Sequence, residues 1–158
     1  MQNKICEPLS MESGGQLLVD KTGMEMALGG LNLTARDSSK MGELYRQKGN
    51  WSGIQIVSED WVAASIKPGA ERLEAGNVVV GGHVLPLGYG YQWWVPAGDD
   101  GEFSAIGVYN QFIYVDPSRD VTIVKLSANR TYGTTNNESE NQEMENIAFL
   151  RAIARSMD

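Results

Sequence analysis

Residues 103–125 read FSAIGVYNQFIYVDPSRDVTIVK, and the fold turns on how this stretch pairs. Two apolar segments flank the turn Asp116-Pro117-Ser118-Arg119-Asp120, and a third, Ser104-Ala105-Ile106-Gly107, leads into them. Phe, Ile, Tyr and Val dominate, and Pro-Ser-Arg-Asp is turn chemistry, so the stretch predicts a meander of antiparallel strands. Phe112 and Tyr114 fall on one face of the middle segment, Ile113 and Val115 on the other. After the turn, Val121 and Ile123 alternate with Val124 and Leu126. A sheet with one wet face would alternate apolar with polar, so this one is expected to be covered on both sides. The rest of the chain then reads as cover.

Downstream, the polar loop ANRTYGTTNNESEN leads into a helix expected from about Ser139 to Met157, with Met144, Ile147, Leu150 and Ala154 at helical spacing. Upstream, YGYQWWVP (Tyr89 to Pro96) reads as one strand, aromatic on both faces, and Asp99-Asp100-Gly101 as the turn into the meander. Residues 69–87 form a long Gly-rich connection with one β-like triplet, Val78-Val79-Val80. Before it, Thr34 and Asp37 form a near capping box for a helix closed by Gly49, with Ala35, Met41, Leu44 and Tyr45 as its apolar stripe. Ser58 caps a second helix, acidic in its first turn, with Trp61, Val62 and Ile66 as the buried side and Pro68 as the stop. Residues 10–26 read as loop, and Gln2 to Leu9 as the end of a helix that breaks at Pro8. Helices, then strands, then one helix make this an α+β chain: an antiparallel sheet of about three to four strands covered by helices, in a single domain spanning residues 1–158.

The 158 residues bury roughly 70% of the unfolded surface. A net charge of -7 argues against a nucleic-acid surface, which needs clustered Lys and Arg. One cysteine, Cys6, excludes an internal disulfide. No apolar run approaches a membrane span and residues 1–15 lack the pattern of a signal peptide, so the expected location is cytoplasmic if the chain is complete.

Few residues carry recognisable chemistry. His83, the single histidine, stands among glycines with no Cys or His cluster to complete a metal site, and no cofactor fingerprint is present. Lys21-Thr22-Gly23 matches the third motif of penicillin-interacting serine enzymes, but that motif lies on a sheet strand and this triplet lies in a loop far upstream of the sheet, so the match is read as coincidence. Trp93 is a candidate cleft wall through the alternation of Trp93-Trp94 along a strand, although core packing is the more usual fate of a Trp.

As a whole the chain resembles the C-terminal part of the serine β-lactamase and penicillin-binding-protein-like hydrolases, a family that includes class C β-lactamases, esterases and 6-aminohexanoate-dimer hydrolases. The residues carrying the resemblance are Ile5 with Pro8-Leu9-Ser10-Met11, Gly29-Gly30-Leu31 with Thr34 and Asp37, Ile56-Val57-Ser58 with Trp61-Val62, and Gly88-Tyr89-Gly90-Tyr91-Gln92-Trp93-Trp94. Gly107-Val108-Tyr109-Asn110-Gln111, followed by Asp116-Pro117, completes the set. Their order and spacing, more than any one of them, define the likeness.

The resemblance implies acyl transfer by a Ser in S-x-x-K, assisted by a Tyr motif, beside a strand carrying Lys- or His-x-Gly. No Ser here has Lys three residues on, and no Tyr has Asn two residues on. Both motifs lie upstream in the family, so the chain is expected to be a C-terminal portion, catalytically incomplete alone. Ala105-Ile106-Gly107 falls at the Lys/His-x-Gly position, closer to the amide hydrolases and esterases because Ala105 carries no charge. Val108 would then offer its backbone N–H to an oxyanion, with Tyr109, Asn110 and Trp93 as cleft-wall candidates. An expected bare sheet face and edge imply a partner: a second copy or the missing N-terminal half. The alternative is a stand-alone binding module reusing the half-fold.

Overall fold

The computed structural model describes residues 1–26, 29–77, 85–134 and 141–157. A π-helical turn, Gln2–Cys6, precedes a small two-stranded unit in which β1 (Gln16–Leu17) pairs antiparallel with β2 (Leu31–Asn32). Then come α1 (Ala35–Arg46), the pair β3 (Asn50–Trp51) and β4 (Ile54–Gln55), and α2 (Glu59–Ser65). Among the described residues the main sheet has five strands in sequence order, all neighbours antiparallel: β5 (Leu87–Tyr89), β6 (Trp94–Pro96), β7 (Phe103–Gly107), β8 (Gln111–Asp116) and β9 (Val121–Lys125). Helix α3 (Glu143–Arg155) closes the chain.

The meander forms as its residues dictate, β7–β8–β9, with Asp116 accepting hydrogen bonds from the Ser118 and Arg119 amides to set the turn. The sheet has five strands rather than three or four because 89–96 is a hairpin and not one strand. The chain reverses at residues 90–92, where Gln92 takes φ 68° and the Gly90 amide donates to the Trp93 carbonyl at 2.8 Å. A Cβ on Gly90 would stand 2.0 Å from the Ser65 carbonyl oxygen, so only glycine lets this turn seat on the end of α2, where the Tyr91 amide bonds the same carbonyl. The Gly-Tyr-Gly-Tyr pattern is thus a contact between turn and helix.

Both faces of the sheet carry a helix. On one, Ile147, Leu150 and Ala154 of α3 bury against Leu85, Leu87, Phe112, Tyr114 and Val121. On the other, Trp93, Phe103 and Val115 pack with Tyr45 of α1 and with Ile66. Helix α1 lies very close to β8 and β9: a Cβ on Gly42 would meet the Ile113 and Thr122 methyls at 2.7 Å. The expected bare face is therefore not found over β8 and β9, although Ala105, Ile113 and Val124 stay half-buried.

The caps form as read. Thr34 Oγ1 accepts from the Asp37 amide at 3.1 Å, and Ser58 Oγ from the Trp61 amide at 3.3 Å. The stripes differ. Leu44 is buried and Tyr45 packs into the core as expected, but Ala35 is exposed and α1 also buries Asp37, Ser38 and Gly42, the Asp37 carboxylate being anchored by the chain of residues 12 and 13. Trp61 is 54% exposed, its ring against Tyr91 at 5.4 Å, so Val62 and Ser65 form the buried side of α2. The Val78-Val79-Val80 triplet, His83 and the expected helix start at Ser139 lie outside the described residues. Among the described residues no helix is long and apolar enough to cross a membrane.

Candidate active site

Strand β7 alternates between the two cores. Ala105 packs on the α1 side with Trp93, Phe103 and Val115, whereas Ile106 packs on the α3 side. Toward β8 the strand is fully paired, from Phe103↔Val115 to Gly107↔Gln111. Toward β6 the ladder has one register pair, Trp94↔Ser104. Among the described residues, then, Ala105, Ile106 and Gly107 have no strand partner on that side. Such an edge offers backbone donors and acceptors to an extended ligand.

At the strand's end Val108 and Tyr109 are exposed and the chain reverses. Tyr109 and Asn110 both take left-handed backbone, φ 64° and 65°. Asn tolerates this conformation and Tyr does not, so the turn must be held from outside. Asn110, 1% exposed, does the holding: its Nδ2 donates to the Asn141 carbonyl at 2.5 Å and its Oδ1 accepts from Asn129 Nδ2 at 2.7 Å. Its carbonyl accepts from Lys125 Nζ at 3.3 Å, and the Asn129 amide donates to the Tyr109 carbonyl. Gln111 adds a clasp, Nε2 to the Ser127 carbonyl at 2.6 Å and the Ser127 amide back to Oε1. The Asn-Gln pair fixes the tip that carries Val108, and the Tyr109 ring meets Tyr132 edge-on at 6.3 Å.

Trp93 lies in the α1-side core, its ring 5.0 Å from Phe103 and 4.6 Å from Tyr45, while Trp94 turns to the other face against Tyr89. Lys21, Thr22 and Gly23 occupy an exposed turn held by Asp20, away from any main-sheet strand, as the coincidence reading expects.

Sequence reasoning missed the polar cluster at the base of β7. Buried Glu102 accepts from the Tyr114 hydroxyl and from Arg151 of α3, whose second nitrogen also reaches the Ala97 carbonyl at 2.8 Å. Burial first, and then the Glu102 carboxylate, pushes the Tyr114 hydroxyl well above the ordinary tyrosine range, so it stays a proton donor. The signal available was the period: a Tyr inside a strand, a Glu just before one, and an Arg beside Ile147, Leu150 and Ala154 on the apolar face of the last helix. The cluster locks β7 to α3 and leaves residues 105–108 free of charged side chains. Among the described residues no three His, Cys, Asp or Glu gather to hold a metal.

This helix-flanked antiparallel sheet has counterparts among known proteins. No family model matches the chain. A 6-aminohexanoate-dimer hydrolase of Paenarthrobacter ureafaciens is 32% identical over 121 residues, which is 76% of this chain and 30% of the relative. A solved protein from Bacillus anthracis, described as a 6-aminohexanoate-dimer hydrolase, superposes with TM-score 0.74 at 28% identity over 98% of this chain and 37% of its own. A protein described as a β-lactamase, from Bacteroides dorei DSM 17855, superposes with TM-score 0.56 at 16% identity over 92% of this chain and 49% of its own, a likeness of fold alone. Over its length the chain is thus similar to a part of the 6-aminohexanoate-dimer hydrolases, consistent with the C-terminal part of the serine β-lactamase-like family. It spans roughly a third of the length of the hydrolases it matches, 30% of one and 37% of the other.

Proposed function

We propose that these residues form the substrate-bordering half of a serine hydrolase that transfers the acyl group of an amide or ester, and that they are catalytically incomplete alone. The observation carrying this reading is the edge of β7 beyond Ser104, which has no strand partner among the described residues and ends at the exposed Val108. An extended amide substrate adds to that edge through backbone hydrogen bonds, and the Val108 N–H donates to the oxyanion as the carbonyl becomes tetrahedral. The nucleophile and its base come from outside these 158 residues, since S-x-x-K and the Tyr motif do not occur within them. Ala105 brings no charge to the cleft, which favours neutral linear amides such as the dimer named for the relatives over β-lactams, whose carboxylate seeks a cation.

The test is to assay the purified chain with nitrocefin, p-nitrophenyl acetate and the linear dimer of 6-aminohexanoate. No turnover is expected. Turnover abolished by a serine-directed inhibitor overturns the claim of incompleteness. Adding the remaining portion of the Bacillus anthracis relative as a separate polypeptide is expected to restore amide hydrolysis.

The second reading, a stand-alone binding or self-associating module, draws on the two helical covers and two apolar cores that these residues already possess. The DNA immediately upstream of Met1 separates the two: an in-frame S-x-x-K supports the hydrolase portion, and its absence there and in neighbouring frames supports the module.

A further inference from the structure

The tip between β7 and β8 holds a residue that its own backbone does not favour. Tyr109 takes φ 64°, in the left-handed region that suits glycine and, less well, asparagine. Asn110 follows at φ 65°, and its buried side chain, bonded to Asn129 and Asn141, explains its place there. Tyr109 has no such explanation. Its ring is 53% exposed and meets Tyr132 edge-on at 6.3 Å. A half-exposed ring in one edge-on contact regains little of what left-handed backbone costs a bulky residue. Glycine would hold the same turn without that cost. Outliers of this kind gather where a side chain is wanted against a ligand.

The surroundings of the ring indicate which ligand. Val108 is 61% exposed and Leu126 55%. The pairs Gly107↔Gln111 and Phe112↔Lys125 carry β7 to β9 in register, so Leu126 follows β9 at the level of Gln111, the end of the sheet where the tip turns. There Gln111 Nε2 donates to the carbonyl of Ser127 at 2.6 Å. Behind the Tyr109 ring, Tyr132 is tied to α3, its hydroxyl donating to Glu143 Oε1 at 2.8 Å. Val108, Tyr109 and Leu126 thus stand exposed at one end of the sheet, beyond the edge of β7, and none of the three carries a charge. Such a wall takes a hydrocarbon chain in preference to a carboxylate.

The place of Val108 indicates which part of the substrate. On the hydrolase reading, on which this inference rests, the Val108 N–H faces the oxyanion. The departing amine or alcohol must take up a proton. No carboxyl, imidazole or ammonium group stands among residues 105–110 to supply it. The leaving side therefore turns to the portion that carries the nucleophile and its base, and the acyl side stays on the tip. We propose that Tyr109 is a specificity-determining residue: its ring lies against an aliphatic acyl chain as that chain leaves the scissile carbonyl, and the unfavourable backbone is retained to hold it there.

Two measurements test this together. In the first, the chain is combined with the remaining portion of the Bacillus anthracis relative as a separate polypeptide. The ratio of kcat/KM for p-nitrophenyl hexanoate over p-nitrophenyl acetate, which share a leaving group, is then read. The hexanoate is expected to be preferred, Tyr109→Gly and Tyr109→Ala to reduce that preference roughly tenfold, and Tyr109→Phe to keep it. In the second, the chain alone is unfolded in urea. Tyr109→Gly is expected to raise the midpoint because it frees the backbone, whereas Tyr109→Ala, which keeps a Cβ on left-handed backbone, is not. An active pair whose preference is unmoved by either ring-removing variant overturns the inference and leaves the hydrolase reading intact. A pair without activity overturns that reading and the inference with it. A lower midpoint for Tyr109→Gly assigns the ring to the fold and overturns the inference as well.

Discussion

Gly42 decides how closely α1 can lie on the sheet. A glycine in a helix interior normally costs about 1 kcal/mol against alanine, because the backbone loses more freedom and gains no contact. Here the missing Cβ is the point, since it would meet two β-branched methyls at 2.7 Å, those of Ile113 and Thr122. Such side chains hold one rotamer and cannot step aside without moving the strand. Gly42→Val recovers only about 0.5 kcal/mol of helix propensity, while overpacking of this kind costs about 1–3 kcal/mol, and three added carbons at so tight a contact belong at the upper end. The variant is therefore expected to lose roughly 2 kcal/mol, read as a lower urea midpoint at unchanged slope. Tyr109 is the opposite case, a residue whose backbone conformation is unfavourable and is sustained by the Asn110 and Gln111 clasps around it.

Elements were legible in the sequence where the signal was local. Both helix caps, the meander and its Asp-Pro turn follow from residue types within a few positions of one another, and all form as read. The 89–96 segment was misread as one strand because its reversal depends on Gly90 fitting against Ser65, a contact between residues far apart in sequence. The burial of Asp37 beside the expected Leu44 and Tyr45 was not legible for a similar reason: it turns inward because residues 12 and 13 come back to meet it. Its carboxylate accepts from the Glu12 amide at 2.8 Å and the Ser13 amide at 3.1 Å, as well as from Thr34 Oγ1. Asp37 thus joins the helix cap to the N-terminal segment. Asp37→Asn keeps the shape but replaces one acceptor oxygen by a donor and removes the charge beside Lys40. Faster hydrogen exchange is expected at the amides of Glu12 and Ser13, with little change at the amides of β7 and β8. Uniform acceleration everywhere would mean that the carboxylate acts on global stability and not on this junction.

The candidate site was legible only through the long-range likeness, since no residue between Ala105 and Asn110 has chemistry that a local pattern could flag. At the scale of the molecule, the same scarcity of catalytic charge contrasts with carboxylates that stitch distant segments together. The backbone amide of Glu12 holds the Asp37 carboxyl below the ordinary carboxylate range, the Arg46 guanidinium does the same for Glu43, and Arg155 and Arg119 for Asp100. Each joins pieces remote in sequence: α1 to the N-terminal segment, α1 to Thr122 of β9, and the turn before β7 to both α3 and the β8–β9 turn. A folded-state pKa below the unfolded value means that the unfolded chain binds protons more readily. The stability so contributed is fully present above the unfolded carboxylate values, about 4, and is lost as pH falls through them toward the depressed folded values. The urea midpoint is thus expected to be flat from neutral pH down to about 5 and to drop steeply below about 4. Asp100→Asn, which removes one of the three stitches, is expected to lower the midpoint at pH 7 and to make the acid limb shallower. A loss that stays the same as pH falls toward the depressed folded value would show that the Asp100 charge contributes nothing, because the stability it adds fades over that range.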